Sequence, residues 1–302
     1  MSVDNKSNVT SKVGLVGILG NLFLFIIKII VAILSKSQAM LADSINSGTD
    51  ILSSLMTLVG GKLAAEAPDK GHNYGHAKAE YVFSLIISLI MGYLAIKIAW
   101  DGAVSLIDKN AFEFSWYLII VCVITMVTKL FLYLYTHKIG EKNDDILILA
   151  NAQDHKNDIL VTASVLVGVA AATFKIYWLD GVIAICIAMR IFYVAIDFFV
   201  QSYAVLIDKS MDDSETKEIE DLIRKYESID HIDKITSKST GKSFIVIVKV
   251  SVDGNMTVNE SHQIAGKLKS DIMNLKNVYD VIVHINPAWV IRKIREGDYA
   301  YA

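Results

Sequence analysis

The chain has 302 residues, 53% of them apolar and 20% charged, with two prolines, a formal net charge of -3 and a mean hydropathy of +0.44. That balance excludes an ordinary soluble enzyme, offers no basic stripe for nucleic acid, and describes a membrane protein. Cys122 and Cys186 lie singly inside apolar runs, which excludes a disulfide framework and a cysteine-rich zinc site.

A helix crosses a bilayer with about 20 mostly apolar residues. Six such spans are expected, at roughly 13–34, 38–64, 79–107, 114–138, 147–173 and 177–207. The run from Val13 to Leu34 is too long for a signal-peptide core, so it stays as a span behind a short polar N-terminus. Spans one, four and six are plainly apolar. Spans two, three and five carry more polar residues, as helices facing a protein interior or a water-filled path do. Lys36, Lys109 and Lys175 stand alone in alternate connections, whereas Lys62, Lys70 and Lys78 flank the second connection and Lys138 and Lys142 the fourth. With Lys6 and Lys12 on that richer side, the positive-inside rule places both termini in the cytoplasm of a multi-pass protein of the cell membrane.

After Asp208 the texture changes, and residues 209–302 hold 29 of the 61 formal charges. A charged amphipathic helix (DDSETKEIEDLIRKYES), the segment KITSKST, a turn at Gly241-Lys242 and the strand SFIVIVKVSV lead to a second helix at about 257–275. The strand YDVIVHI then ends before Pro287. The order α-β-β-α-β makes a small ferredoxin-like α+β domain. The chain thus divides into a six-span domain (1–208), a cytoplasmic domain (209–289) and a loose tail (290–302) that includes Arg292, Lys293 and Arg295.

Spans two and five share a pattern. Ala42-Asp43 through Asn46 and Asp50 reads against Ala150-Asn151 through Asp154 and Asp158. Polar positions three, four and seven apart fall on one helical face, so two Asp/Asn stripes facing one another make one site. Carboxylates at mid-bilayer are costly and must be compensated. Within these two spans the basic candidate is Lys156, about 200° around the helix from Asp158. A bound cation or a proton is therefore the expected partner. Hydrogen-bonded carboxyls acting as interhelical glue are the structural alternative. Elsewhere Asn21, Lys28 and Asp101 suit a path lining, with Lys28 expected to snorkel, and Gly14, Gly17 and Gly20 suit close helix contact.

In the second connection, PDKGHNYGHAKAE, His72 and His76 stand four apart with Asp69 three before. That is a reasonable divalent cluster, although spacing alone leaves it open between ligating and solvated histidines.

At these residues the sequence resembles the cation diffusion facilitator family, six-span metal(II)/proton antiporters that work as homodimers. The resemblance covers about 10–289. It implies a four-ligand transport site at Asn46, Asp50, Asp154 and Asp158, with Asn46 departing from the usual His or Asp. It implies a second, weaker metal site at Asp69, His72 and His76, and a charge interlock between Lys78 and Asp208 near the dimer interface. The family's binuclear cytoplasmic site falls on Asp233, Val248, His262, His284 and Asn286. A valine and an amide there imply an absent or weak site, a domain used chiefly for dimerisation, and a structural role for His284.

An amide oxygen with three carboxylates is an all-oxygen set. It suits manganese(II) as substrate better than zinc, with Asp43 and Asn151 as outer oxygens. The resemblance agrees, since the family's bacterial manganese-transporting branch has Asn and Asp at the first position of spans two and five. Zinc, iron(II) and cadmium are the alternatives, and no organic cofactor is implied. The expected function is export of the metal against protons by alternating access. A two-aspartate intramembrane enzyme would not need the second rung of each ladder, and a passive channel would favour a symmetric ring of ligands.

Overall fold

The computed structural model describes residues 3–64, 66–107, 115–143 and 146–288. Lys109 and the tail with Arg292, Lys293 and Arg295 lie outside the described residues, as do the side chains of Lys6, Lys12 and Lys62.

Six long helices come first: α1 (Val3–Ser35), α2 (Gln38–Ala64), α3 (Ala79–Ile107), α4 (Trp116–Asn143), α5 (Ile146–Ala172) and α6 (Trp178–Leu206). Among the described residues, α1, α3, α4 and α6 are long and apolar enough to cross a membrane, while α2 and α5 match them in length and carry more polar side chains. The helix of α1 begins at Val3, so the polar N-terminus expected ahead of the first span is helical. Likewise α4 runs to Asn143, past the expected end at 138.

The chain forms two compact units, one of residues 1–59 with 83–200, the other of 60–82 with 201–302. In the first, small and branched side chains such as Ala39, Met40, Ala42, Ile98, Val165 and Ile187 form a common core. Large apolar side chains on α1, α3, α4 and α6, among them Ile33, Trp100, Phe131 and Tyr193, are exposed, as suits helices solvated by hydrocarbon rather than water. Helices α3 and α6 approach closely where Gly181 stands against Gly102. A Cβ at 181 would come within 2.8 Å of the Gly102 carbonyl oxygen.

The short connections after α1 and α5 each contain a left-handed residue, Lys36 (φ 55) and Lys175 (φ 63). The exposed amides at the start of α2 are then satisfied by another helix. Asp180 of α6 accepts from the Gln38 amide (2.7 Å), the Ala39 amide (3.2 Å) and the Ser37 hydroxyl (2.5 Å). This cross-helix cap fixes where α2 begins and so where its polar rungs fall.

In the second unit, α7 (Asp213–Ile223), β1 (Ile229–Ser239), β2 (Phe244–Val252), α8 (Val258–Met273) and β3 (Val278–Pro287) follow the expected order. The sheet order is β1-β2-β3, with β2 antiparallel to β1 and parallel to β3. Val246, Val248 and Val250 of the central strand point into a core closed by Ile219, Ile223, Leu268 and Ile272, the buried stripes of α7 and α8. Thr257 and Glu260 cap α8 reciprocally. Gly241 turns the β1–β2 hairpin at φ 117, and a Cβ there would meet that of Ala77 at 2.8 Å.

Candidate functional site

Asn46 and Asp158 meet across α2 and α5, where the Asn46 amide Nδ2 donates to Asp158 Oδ1 at 3.1 Å. Both are buried, at 6% and 3% exposure. They line a cavity of about 410 Å³ together with Asp50, Asp154 and Asn151, whose remaining walls include Met91, Ile191, Val194 and Phe198. The two matched ladders thus open on one space, with all four expected ligand positions on its wall. Asn151 is on that wall as well.

Asp43 is not. It is wholly buried, Lys28 Nζ lies 2.9 Å from its Oδ2, and the Thr162 hydroxyl donates to the same oxygen at 3.0 Å. The role of outer oxygen expected for Asp43 is therefore taken up by an ion pair. Lys28, expected to snorkel, is 0% exposed and also donates to Ser47 Oγ at 3.1 Å. It turns inward because a buried carboxylate is a better partner for an ammonium than hydrocarbon is.

The cavity carboxylates have basic partners of their own. Lys129 of α4, 0% exposed, donates to Asp158 Oδ2 at 2.5 Å and to Asn21 Oδ1 at 2.7 Å, and lies 3.6 Å from Asp50 Oδ2. Arg190 of α6 reaches within 3.9 Å of Asp158 Oδ1 and lines the same cavity. A bound cation or a proton is the partner expected for these carboxylates; the structure adds two basic side chains, from α4 and α6. These partners come from α4 and α6, apolar on average, and not from α2 and α5. The signal was present, since Lys129 in VITMVTKLFLYLY and Arg190 in IAICIAMRIFYVA are lone charges in apolar runs, as telling as the aspartates.

His155 was also missed. It is 4% exposed, lines the cavity, and neither ring nitrogen has a hydrogen-bond partner among the described residues. The wall therefore offers an imidazole beside the four oxygen-bearing positions.

In the second unit the loop before α3 brings Asp69, His72 and His76 together, with one ligand atom from each within 4.8 Å of the others. His72 Nδ1 is 3.2 Å and His76 Nε2 3.4 Å from the Asp69 carboxylate. The His72 amide, and with it that of Gly71, donates to Asp69 Oδ1 and holds this carboxyl below the usual carboxylate range. Three donors so close form a fitting divalent cluster.

Lys78 donates to Asp208, and Lys238 from β1 stands 3.2 Å from the other oxygen of that carboxylate. These two ammonium groups, Lys78 foremost, keep the Asp208 carboxyl below its ordinary range. Lys242 reaches Glu80 at 3.2 Å beside the same hairpin turn.

Of the positions expected for a C-terminal metal site, Val248 is buried in the core and His262 is exposed on α8. Asp233, His284 and Asn286 do meet, in a hydrogen-bonded chain. Asn286 Nδ2 donates to Asp233 Oδ2 at 3.0 Å, and His284 Nε2 is 2.9 Å from Asn286 Oδ1. Ser251 donates to Asp233, and His231 Nε2 lies 2.9 Å from it. Sequence reasoning did not single out Ser251 or His231. The Ser251 hydroxyl and the Asn286 amide both donate to the Asp233 carboxylate.

Residues 14–207 match the family model of the cation efflux transmembrane domain, and residues 211–288 that of the cation efflux protein cytoplasmic domain. Two relatives come from Bacillus subtilis (strain 168). The manganese efflux system protein MneP is 27% identical over 93% of this chain and 97% of its own length, and the manganese efflux system protein MneS 29% identical over 90% and 94%. The cation-efflux pump FieF of Shewanella oneidensis is 25% identical over 89% of this chain and 91% of its own.

Proposed function

The chain belongs to the cation efflux family, transporters rather than enzymes, and on that premise we propose that it exports manganese(II) from the cytoplasm in exchange for protons. The observation that carries this reading is the single cavity shared by Asn46, Asp50, Asp154 and Asp158. In this reading α2 and α5 complete six spans, both termini are cytoplasmic, and the protein works as a homodimer joined through residues 209–289. The metal binds between the two ladders. It leaves when the bundle rocks to face the other side, and protons take its place on the carboxylates.

The choice of manganese rests on the donor set. Three carboxylates and an amide oxygen favour a hard ion that accepts six ligands, with Asn151 available to add another oxygen. The names of the two Bacillus relatives support the same metal. A second reading, export of zinc or iron(II), is favoured by His155, whose imidazole suits those ions. Asp69, His72 and His76 form an additional cytoplasmic metal site in either case, and the hydrogen-bonded chain at Asp233 leaves the C-terminal domain without a strong one.

Flux into proteoliposomes with and without a pH gradient tests the proposal. Manganese uptake that speeds when the gradient is imposed and carries protons outward supports antiport. Gradient-independent flux with channel-like rates refutes it, and zinc moving faster than manganese at equal concentration moves the substrate to the second reading.

A further inference from the structure

We propose that the Lys129 ammonium is a tethered substitute for the transported cation, leaving the Asp50–Asp158 oxygens when metal enters and returning to them when metal departs. The inference rests on the transport site proposed above and extends it to the return half of the cycle.

Lys129 Nζ sits among oxygens from three helices: Asp158 of α5, Asn21 of α1 and, slightly farther, Asp50 of α2. Two of these belong to the proposed ligand set. An ammonium 2.5 Å from Asp158 Oδ2 and a metal bonded to that same oxygen at about 2.0–2.2 Å would sit within about 5 Å of each other. Like charges at that spacing beside buried side chains repel, so one disfavours the other. Lysine is suited to yielding, because it presents a single compact charge on a flexible four-carbon stem. Asn21 gives it somewhere to remain. This residue stands outside the ladders, and its Oδ1 holds the ammonium at 2.7 Å independently of either carboxylate. Other charges facing the site are Arg190, 3.9 Å from Asp158, and Asp154; Lys28 is committed to Asp43.

The consequence concerns the carrier without metal. Several carboxylates cannot cross between facing states uncompensated. A resident ammonium neutralises part of that charge without being consumed, whereas metal-for-metal exchange never needs the empty carrier to turn over. Lys129 should therefore matter for net transport, weaken metal binding by competition, and be dispensable for exchange.

The test uses the full chain with Lys129→Met, measuring manganese binding in detergent, and both net flux and exchange of radioactive manganese in proteoliposomes. The expected result is binding about tenfold tighter or more, the effect of removing one like charge at this range, with exchange continuing and net flux falling at least about tenfold. Unchanged or weaker binding, or loss of exchange together with net flux at normal folding, overturns the inference. Should Lys129→Met fail to fold, Lys129→Gln keeps a donor to Asp158 without the charge and faces the same two outcomes. A wild-type protein that binds and moves no divalent cation overturns the functional reading itself, and this inference with it.

Discussion

Lys28→Met separates a structural ion pair from a metal-binding carboxylate. Lys28 and Asp43 are 2.9 Å apart with side chains 1% and 0% exposed, Lys28 also donates to Ser47 Oγ, and Thr162 donates to Asp43 Oδ2. Methionine keeps most of the lysine stem's volume, so the cost is mainly that of leaving the Asp43 carboxylate buried without its cation. Removing one partner of a buried pair costs about 3–5 kcal/mol. Asp43→Asn alone strands the ammonium and should cost a similar amount. The double variant strands neither, so the two effects should fall short of adding by at least about 2 kcal/mol. The assay is unfolding in mixed micelles followed by circular dichroism, with manganese binding measured on the same samples. Binding in the folded Asp43→Asn protein should stay within about threefold of wild type, since 1.4 kcal/mol would be tenfold. Additive destabilisation, or lost binding at intact stability, would refute the argument and return Asp43 to the ligand shell.

Asp50→Ala or Asp158→Ala should abolish manganese-driven proton exchange in protein that still inserts and dimerises, and near-normal transport at normal expression would sink the site. Asn46→His with Asp154→His should shift preference from manganese toward zinc in competition flux, because two imidazoles supply the nitrogens of a tetrahedral site. Expressed alone, residues 209–289 should fold and self-associate without metal, and calorimetry detecting two tightly bound zinc ions per chain would contradict this. Asp208 is held below its ordinary range by Lys78 and Lys238. Its contribution to stability is therefore present above about pH 4, the unfolded aspartate value, and lost as pH falls through the lower folded value. Acid unfolding of wild type and Asp208→Asn should accordingly converge below that pH and diverge above it.

The helices were legible because bilayer-length apolar runs and the polar connections between them are one-dimensional signals. The start of α1 was not, since residues 3–12 are polar and carry no apolar period that marks a helix. The matched rungs of α2 and α5 were legible as a repeat, and the shared cavity follows from it. What compensates those rungs was hidden for a physical reason. A lone Lys or Arg barely lowers the mean hydropathy of a long apolar helix, and its partner is decided by which helices pack side by side. Lys129 and Arg190 thus vanished into α4 and α6, although a charge in such a run demands a partner as much as Asp50 does. His155 was legible by helical spacing, four residues after Asn151 and three before Asp158, and the packed bundle leaves it on the cavity wall. In the C-terminal domain, Val248 was legible as a core residue of the apolar strand. The role of His231 was not, because it depends on the register that sets β1 beside β2.

The central claim is that a metal ion is held between α2 and α5, and anomalous diffraction from crystals grown with manganese, recorded on both sides of its absorption edge, tests it most directly. The account predicts a manganese peak within bonding distance of Asp50, Asp154 and Asp158, with Lys129 Nζ moved away from Asp158. A peak confined to Asp69, His72 and His76 or to the C-terminal domain, with Lys129 still on Asp158 at saturating metal, would contradict it.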